Sequence, residues 1–243
     1  MWSLFRKEIS SFLSSIIGYL VILVFLLITS LFLWVFDGEF NILNAGYATL
    51  DPLFIIAPFV FLFLIPAITM RMFADEHKAG TMELLATRPI SDLSIVLAKF
   101  LAGWALVALA LVPTLLYYYT VSTLGAPAGN IDSGGTMGSY IGLLLLAGAY
   151  VSIGLFASSL TSNQIVAFIV ALFLSFLLYL GLDNLASWSL LGPADYLVEQ
   201  LGMSSHYVSM SRGVLDSRDV LYFFSLMAAF TAGCVTVLQS RKW

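Results

Sequence analysis

"LFIIAPFVFLFLIPAITM", Leu53–Met70, runs for 18 residues without a charge. As a helix it covers roughly 27 Å at about 1.5 Å per residue, close to the ~30 Å hydrocarbon core of a bilayer. The chain then turns abruptly into "RMFADEHKAGTMELLATRPISDLSIVLAK", Arg71–Lys99, with four basic residues, four acids and a histidine. One side of that junction suits lipid and the other suits water. A membrane-spanning helix followed by a charged connection outside the bilayer is the reading that satisfies both.

Working outward, the same grain repeats. Uncharged runs recur at Ile16–Phe36, Phe100–Val121, Tyr140–Leu160, Ile165–Leu182 and Val220–Leu238, each long enough to cross as a helix. A membrane barrel would instead show segments of about ten residues with alternating polarity. Only 10% of residues are charged and the mean hydropathy is +0.99, whereas a soluble domain carries roughly a quarter charged residues. The expected fold is therefore an all-α integral membrane protein, residues 1–243 forming a single transmembrane domain of six helices. Pro58, Pro66 and Pro113 inside the runs predict kinks. The first run is too long for a signal-peptide core and no A-x-A-like site follows it, so it is expected to be retained.

Six spans put both termini on one side. Arg6, Lys7, Arg71, Lys78, Arg88, Lys99, Arg241 and Lys242 share that side, and only Arg212 and Arg218 lie opposite. The asymmetry orients termini and charged connection toward the cytoplasm. Nine acids, from Asp37 to Asp219, fall outside, so the net charge of −4 averages two unlike faces. No nucleic-acid partner is expected. Cys234, the only cysteine, has no internal partner for a disulfide.

At the start, Trp2, Phe5, Ile9 and Phe12–Leu13 recur at helical spacing, with Ser3, Arg6, Lys7 and Ser10 opposite. This predicts an amphipathic helix over residues 1–14 lying in the plane of the lipid bilayer surface. Residues 183–219 are too polar to span and too apolar to float free. They predict an outer pair of short helices, Pro193–Leu201 and Met203–Arg212, packed at the membrane edge. Gly125–Gly138 reads as a flexible outer turn. Tyr117, Tyr118 and Tyr119 read as an interfacial aromatic belt.

The charged connection, residues 74–95, predicts helix, break, short helix, break, helix. The second span runs on to about Lys78, with Arg71 and Asp75 placed for an i,i+4 pair. Gly80 stops it, "TMELLAT" forms a short helix with Glu83 in its first turn, Pro89 breaks that, and Ser91-Asp92 caps the next. Met82, Leu84 and Leu85 would give the short helix an apolar plug for a partner groove. Asp75 and Glu76 sit where the helix dipole disfavours acids, so Arg71, Lys78 or a basic partner surface is expected to compensate them.

This segment resembles the signature of ABC-2-type transporter permeases, carried by Glu76, Gly80, Thr81, Glu83, Leu84, Leu85, Pro89 and Lys99. "SRGVLDSRDVLYFFSL", Ser211–Leu226, is similar to that family's approach to its final span, with Arg212, Gly213 and Asp219 in place. Within the superfamily the chain is most similar to the gliding-motility-associated permeases of Bacteroidetes, with nitrous-oxide-reductase maturation permeases as near relatives. The resemblance implies an exporter-type permease of the bacterial inner membrane. It would pair with a second copy or a homologous membrane subunit and bind a separate ABC ATPase subunit through a Gly80–Pro89 coupling helix. ATP and Mg would be bound by that partner. No Gly-x-x-x-x-Gly-Lys-Ser/Thr occurs, so this chain has no phosphate cradle of that kind, no catalytic residues are assigned to it and it is expected not to be an enzyme.

In span four, Gly142, Ala147, Gly148 and Gly154 permit close helix approach. No ionisable residue falls inside the six runs as drawn, which argues against a proton-driven carrier. Ser204, Ser205 and His206 lack the motif context of a hydrolase. Met203, His206 and Met210 share one face of the outer helix and offer thioether and imidazole to Cu(I), though such residues on a half-buried helix usually serve packing and no metal site is assigned. A membrane complex that does mechanical work without moving cargo would need the same coupling helix.

Overall fold

The computed structural model describes residues 1–81, 91–187, 192 and 195–240. Among these there is helix and no strand. In chain order the helices are α1 (Trp2–Leu13), α2 (Ile16–Ser30), α3 (Asp51–Lys78), α4 (Asp92–Leu111), α5 (Leu115–Leu124) and α6 (Ser133–Ser159). They continue with α7 (Gln164–Phe176), α8 (Leu182–Ser187), α9 (Asp195–Leu201), α10 (Met203–Ser211) and α11 (Ser217–Ser240). Six stretches are long and apolar enough to cross a membrane: 16–35, 51–78, 92–124, 133–159, 164–187 and 217–240. The six expected spans are all present.

Several boundaries move, for local reasons. α2 and α7 end in π-helical turns, Leu31–Val35 and Leu177–Gly181. α3 runs unbroken through Pro58 and Pro66. Pro113 falls instead in a 3₁₀ turn, Val112–Thr114, that joins α4 to α5, where the Tyr140 hydroxyl donates to the Thr114 carbonyl at 3.1 Å. The expected turn at Gly125–Gly138 is shorter than the sequence suggests. Asp132 accepts from the Gly135 N–H at 3.0 Å, so α6 begins at Ser133 despite its glycines. The outer helices form nearly as expected, although Pro193 lies outside the described residues.

Helix α6 is the axis of the bundle, packing against α3, α4, α7, α10 and α11. Buried positions make up 83% of its most apolar stretch and 67% of that in α3, against 28% in the first span and 22% in each of the last two. Spans two and four are thus protein-facing, while spans one, five and six keep broad apolar faces open. The small-residue track of α6 is filled from within the chain. Gly142 meets Tyr207, Gly148 meets Met227 and Trp104, and a Cβ on Gly154 would stand 2.0 Å from Thr69 Oγ1. Close approach of α3 to α6 therefore requires glycine at 154.

Candidate functional site

The charged connection leaves the bundle at the shared end of α3 and α4, beside α1. How α3 ends follows from its sequence. Gly80 adopts φ +68°, the left-handed region open to glycine. That conformation lets the Gly80 N–H reach the His77 carbonyl at 3.3 Å and the Thr81 N–H reach that of Glu76 at 3.0 Å, a Schellman closure that satisfies the last carbonyls. Thr81 Oγ1 also donates to the Glu76 carbonyl at 3.4 Å. The chain re-enters at Ser91, whose hydroxyl accepts from the Ser94 N–H and caps α4. Met82, Glu83, Leu84, Leu85 and Pro89, with the short helix expected there, lie outside the described residues.

Below this connection sits an ion cluster. Lys99 Nζ donates to Glu76 Oε1 at 2.9 Å and to Glu8 Oε1 at 3.1 Å, and lies 5.2 Å from the centre of the Phe73 ring. Its side chain is 1% exposed, and those of Glu8 and Glu76 are 9% and 14% exposed. Lys7, largely in solvent, stands 3.8 Å from Glu8 and 3.9 Å from Glu76. Taking an ion out of water costs several kcal/mol, and a buried lysine persists only where paired carboxylates offset that cost. Two acids on one cation do so here, tying α1, α3 and α4 together.

Two sequence readings are corrected by this geometry. Arg71 and Asp75 form no pair: Asp75 accepts from the Gln164 amide, and Arg71 Nε is buried without a hydrogen-bond partner. The helix of span three begins at Asp92 behind its Ser91 cap, as expected, so Lys99 lies on it, one residue before the uncharged run that starts at Phe100. Glu76 is compensated, as its place near a helix end demands, but by Lys99 from the next span rather than by Arg71. The missed member was Glu8. Its signal was an acid at the edge of the apolar face of α1, where its neighbour Leu4 is also buried.

A second contact controls the same helix end. Ser158, from the close of α6, accepts from the N–H groups of Phe73 and Ala74, both at 3.1 Å, and donates to the Met70 carbonyl at 3.0 Å. A hydroxyl thus enters the backbone ladder of α3 one turn before Glu76, where inserted side chains bend helices. α3 is anchored to α6 at that level and to α1 and α4 one turn further on.

In α1, Trp2 stacks on Phe5 with ring centres 5.0 Å apart and is 73% exposed. Ile9 is half-buried, and Arg6 and Lys7 are exposed. At the opposite end of the bundle Met203 and Met210 are fully buried in the core. His206 Nδ1 lies 2.7 Å from Asp219 Oδ1 and Nε2 lies 2.9 Å from the Gln200 carbonyl, while its ring stacks on Tyr222 at 4.0 Å. That face is occupied by packing and hydrogen bonds. Tyr207 donates to the Phe54 carbonyl at 2.8 Å, and burial holds its hydroxyl well above its ordinary pKa, as a neutral donor. Arg212 is exposed at the end of α10. Among the described residues no group of three His, Cys, Asp or Glu is placed to hold a metal.

Over residues 2–239 the sequence matches the family described as ABC-2 family transporter protein. No curated protein matches it.

Proposed function

The chain belongs to the ABC-2 family of transporter proteins and is a multi-pass membrane permease subunit, and from that premise we propose that it transmits work from a separate ABC ATPase. The ATPase would seat the segment between Thr81 and Ser91 in a cleft of its own, bind ATP and Mg, and move that segment as it closes. The observation that carries this reading is the clamped base of the segment. The Schellman stop at Gly80, the Ser91 cap and the Lys99 cluster hold both ends of the segment on helices of the transmembrane bundle. A push on it therefore reaches spans two and three directly instead of being lost in a slack loop.

The proposal extends to a pair of permease subunits in a bacterial inner membrane with cytoplasmic termini, supported by the basic side shared with the termini and by the open apolar faces of spans one and five. Export or mechanical work in gliding motility is the role we favour, on the resemblance of the charged segment. The copper-maturation alternative draws no support from the outer helix, whose methionines are wholly buried. The test is co-purification with the neighbouring ATPase, wild type against Glu83→Arg. Loss of the complex or of coupled ATP hydrolysis, with insertion intact, supports the reading. A wild-type chain that never retains an ATPase overturns it.

A further inference from the structure

Beside the Lys99 cluster, at the level of the turn from α1 into α2, a cleft of about 230 Å³ opens between α1 and α3. Its charged lining is Lys7, Arg71 and Lys99 against Glu8, Asp75 and Glu76, three of each sign. Two residues that line it each carry a buried atom without a hydrogen-bond partner, the Arg71 Nε donor and the Glu76 Oε2 acceptor. Buried polar atoms of native proteins are rarely left unpaired, and each such orphan asks for a water, ion or ligand. The cleft is roomy enough for a small polar group as well as for water.

We propose that this cleft binds the headgroup of an aminophospholipid of the phosphatidylethanolamine class. Its phosphate would accept from Arg71 and its primary ammonium would donate to Glu76. The charge balance decides between headgroups. With three cations facing three carboxylates the site is neutral, so an anionic phosphatidylglycerol would bring an uncompensated charge. A phosphatidylcholine is neutral but has no N–H to offer the orphan acceptor. The primary ammonium has three donors, as a lysine does.

The surroundings point to a lipid rather than a soluble ester. Phe12 lines both the charged cleft and an apolar seam that runs deeper into the membrane past Gly18, Ile22, Phe61 and Ile68. The seam has only about 10 Å³ of free space, so an acyl chain would lie along it and recognition would rest in the headgroup. The site stands on the membrane placement of α1 to α4 alone and is independent of the ATPase reading. Because Glu76 also holds Lys99, its occupant would bear on the clamp of the charged segment.

The test uses the full chain in lipid nanodiscs containing equal parts of phosphatidylethanolamine, its N-methyl and N,N-dimethyl derivatives, phosphatidylcholine and phosphatidylglycerol. Lipid retained through mild delipidation is read by native mass spectrometry. Phosphatidylethanolamine should be retained roughly tenfold over phosphatidylcholine, the worth of one charge-assisted hydrogen bond, with retention falling as methyl groups replace N–H. Arg71→Ala should abolish the preference and Arg71→Lys restore part of it. If Arg71→Ala does not fold, the methylation series on wild-type protein decides alone. Equal retention of the choline lipid, or preference for phosphatidylglycerol, overturns the proposal. So does displacement by soluble glycerophosphoethanolamine at concentrations matching the lipid, since the ligand would then be the free ester.

Discussion

Lys99 and Glu76 are 23 positions apart in sequence and 2.9 Å apart in space. Between them runs the whole segment that we propose meets an ATPase. The ion pair closes the neck of that loop, and Glu8 adds the amphipathic helix α1 to the same junction. The junction thus ties both ends of that loop to three helices at once.

Removing the cation should be costly. Lys99→Met leaves Glu8 and Glu76 buried with only the solvent-exposed Lys7 beside them, and loss of the buried partner of such a cluster costs about 3–5 kcal/mol. Thermal unfolding in nanodiscs should show a large drop, with much of it regained when Glu8→Gln and Glu76→Gln are added. A Lys99→Met chain as stable as wild type would mean the cluster is not a clamp.

Ser158→Ala removes an acceptor for two N–H groups and a donor to one carbonyl in the turn of α3 around Phe73. The expected loss is about 1–3 kcal/mol. The sharper readout is hydrogen exchange, which should accelerate at Phe73 and Ala74 while the middle of α6 stays protected. Unchanged exchange there would mean α3 closes its own ladder without the serine.

Gly154→Ala drives a Cβ into Thr69 Oγ1. Overpacking of this kind costs about 1–3 kcal/mol. Thr69→Ala in the same chain should recover only part of it, because the Thr69 Cβ itself stands 2.8 Å from the added atom. Unfolding temperatures of the two single variants and the double one check this.

At Gly80 the left-handed backbone makes valine unfavourable by roughly 1–2 kcal/mol, while asparagine should be tolerated. Because Gly80 sits at the exposed end of α3, that cost should appear as local opening of the last turn rather than as loss of the whole bundle. ATP turnover with the partner should separate the two variants, falling for Gly80→Val and persisting for Gly80→Asn.

Copper(I) should not bind tightly at the outer helix. Met203 and Met210 are withdrawn into the core, so Met203→Leu should leave the metal content of the purified chain unchanged. Tight binding abolished by that substitution would reverse this assignment.

Six spans were legible because lipid demands uncharged runs of a fixed length, and Leu53–Met70 or Ile165–Leu182 can satisfy little else. Gly80 was legible for a similar reason, since a glycine after a charged last turn has a restricted set of uses. Lys99 was visible as a motif residue but not as a buried one. Its burial depends on Glu8 and Glu76 arriving from two other helices, and no local pattern encodes a meeting across 91 positions. The Arg71–Asp75 pairing failed on the same ground. Helical spacing makes a pair available, and Gln164 from a distant turn took the acid instead. The track of small residues on α6 was seen, but what fills it could not be, because Thr69, Met227 and Tyr207 are chosen by the packing of whole helices.

The three-helix junction also has an order of synthesis. Glu8 and Glu76 leave the ribosome before Lys99 does. Until then the bundle has two carboxylates for its interior and only the exposed Lys7, not a buried cation, beside them. Burying Glu8 before that would cost several kcal/mol, so the final seat of α1 is not favoured until the third span is present. Arrival of the third span is what allows the first helix made to reach its final seat, so assembly at this end of the molecule proceeds backwards along the chain.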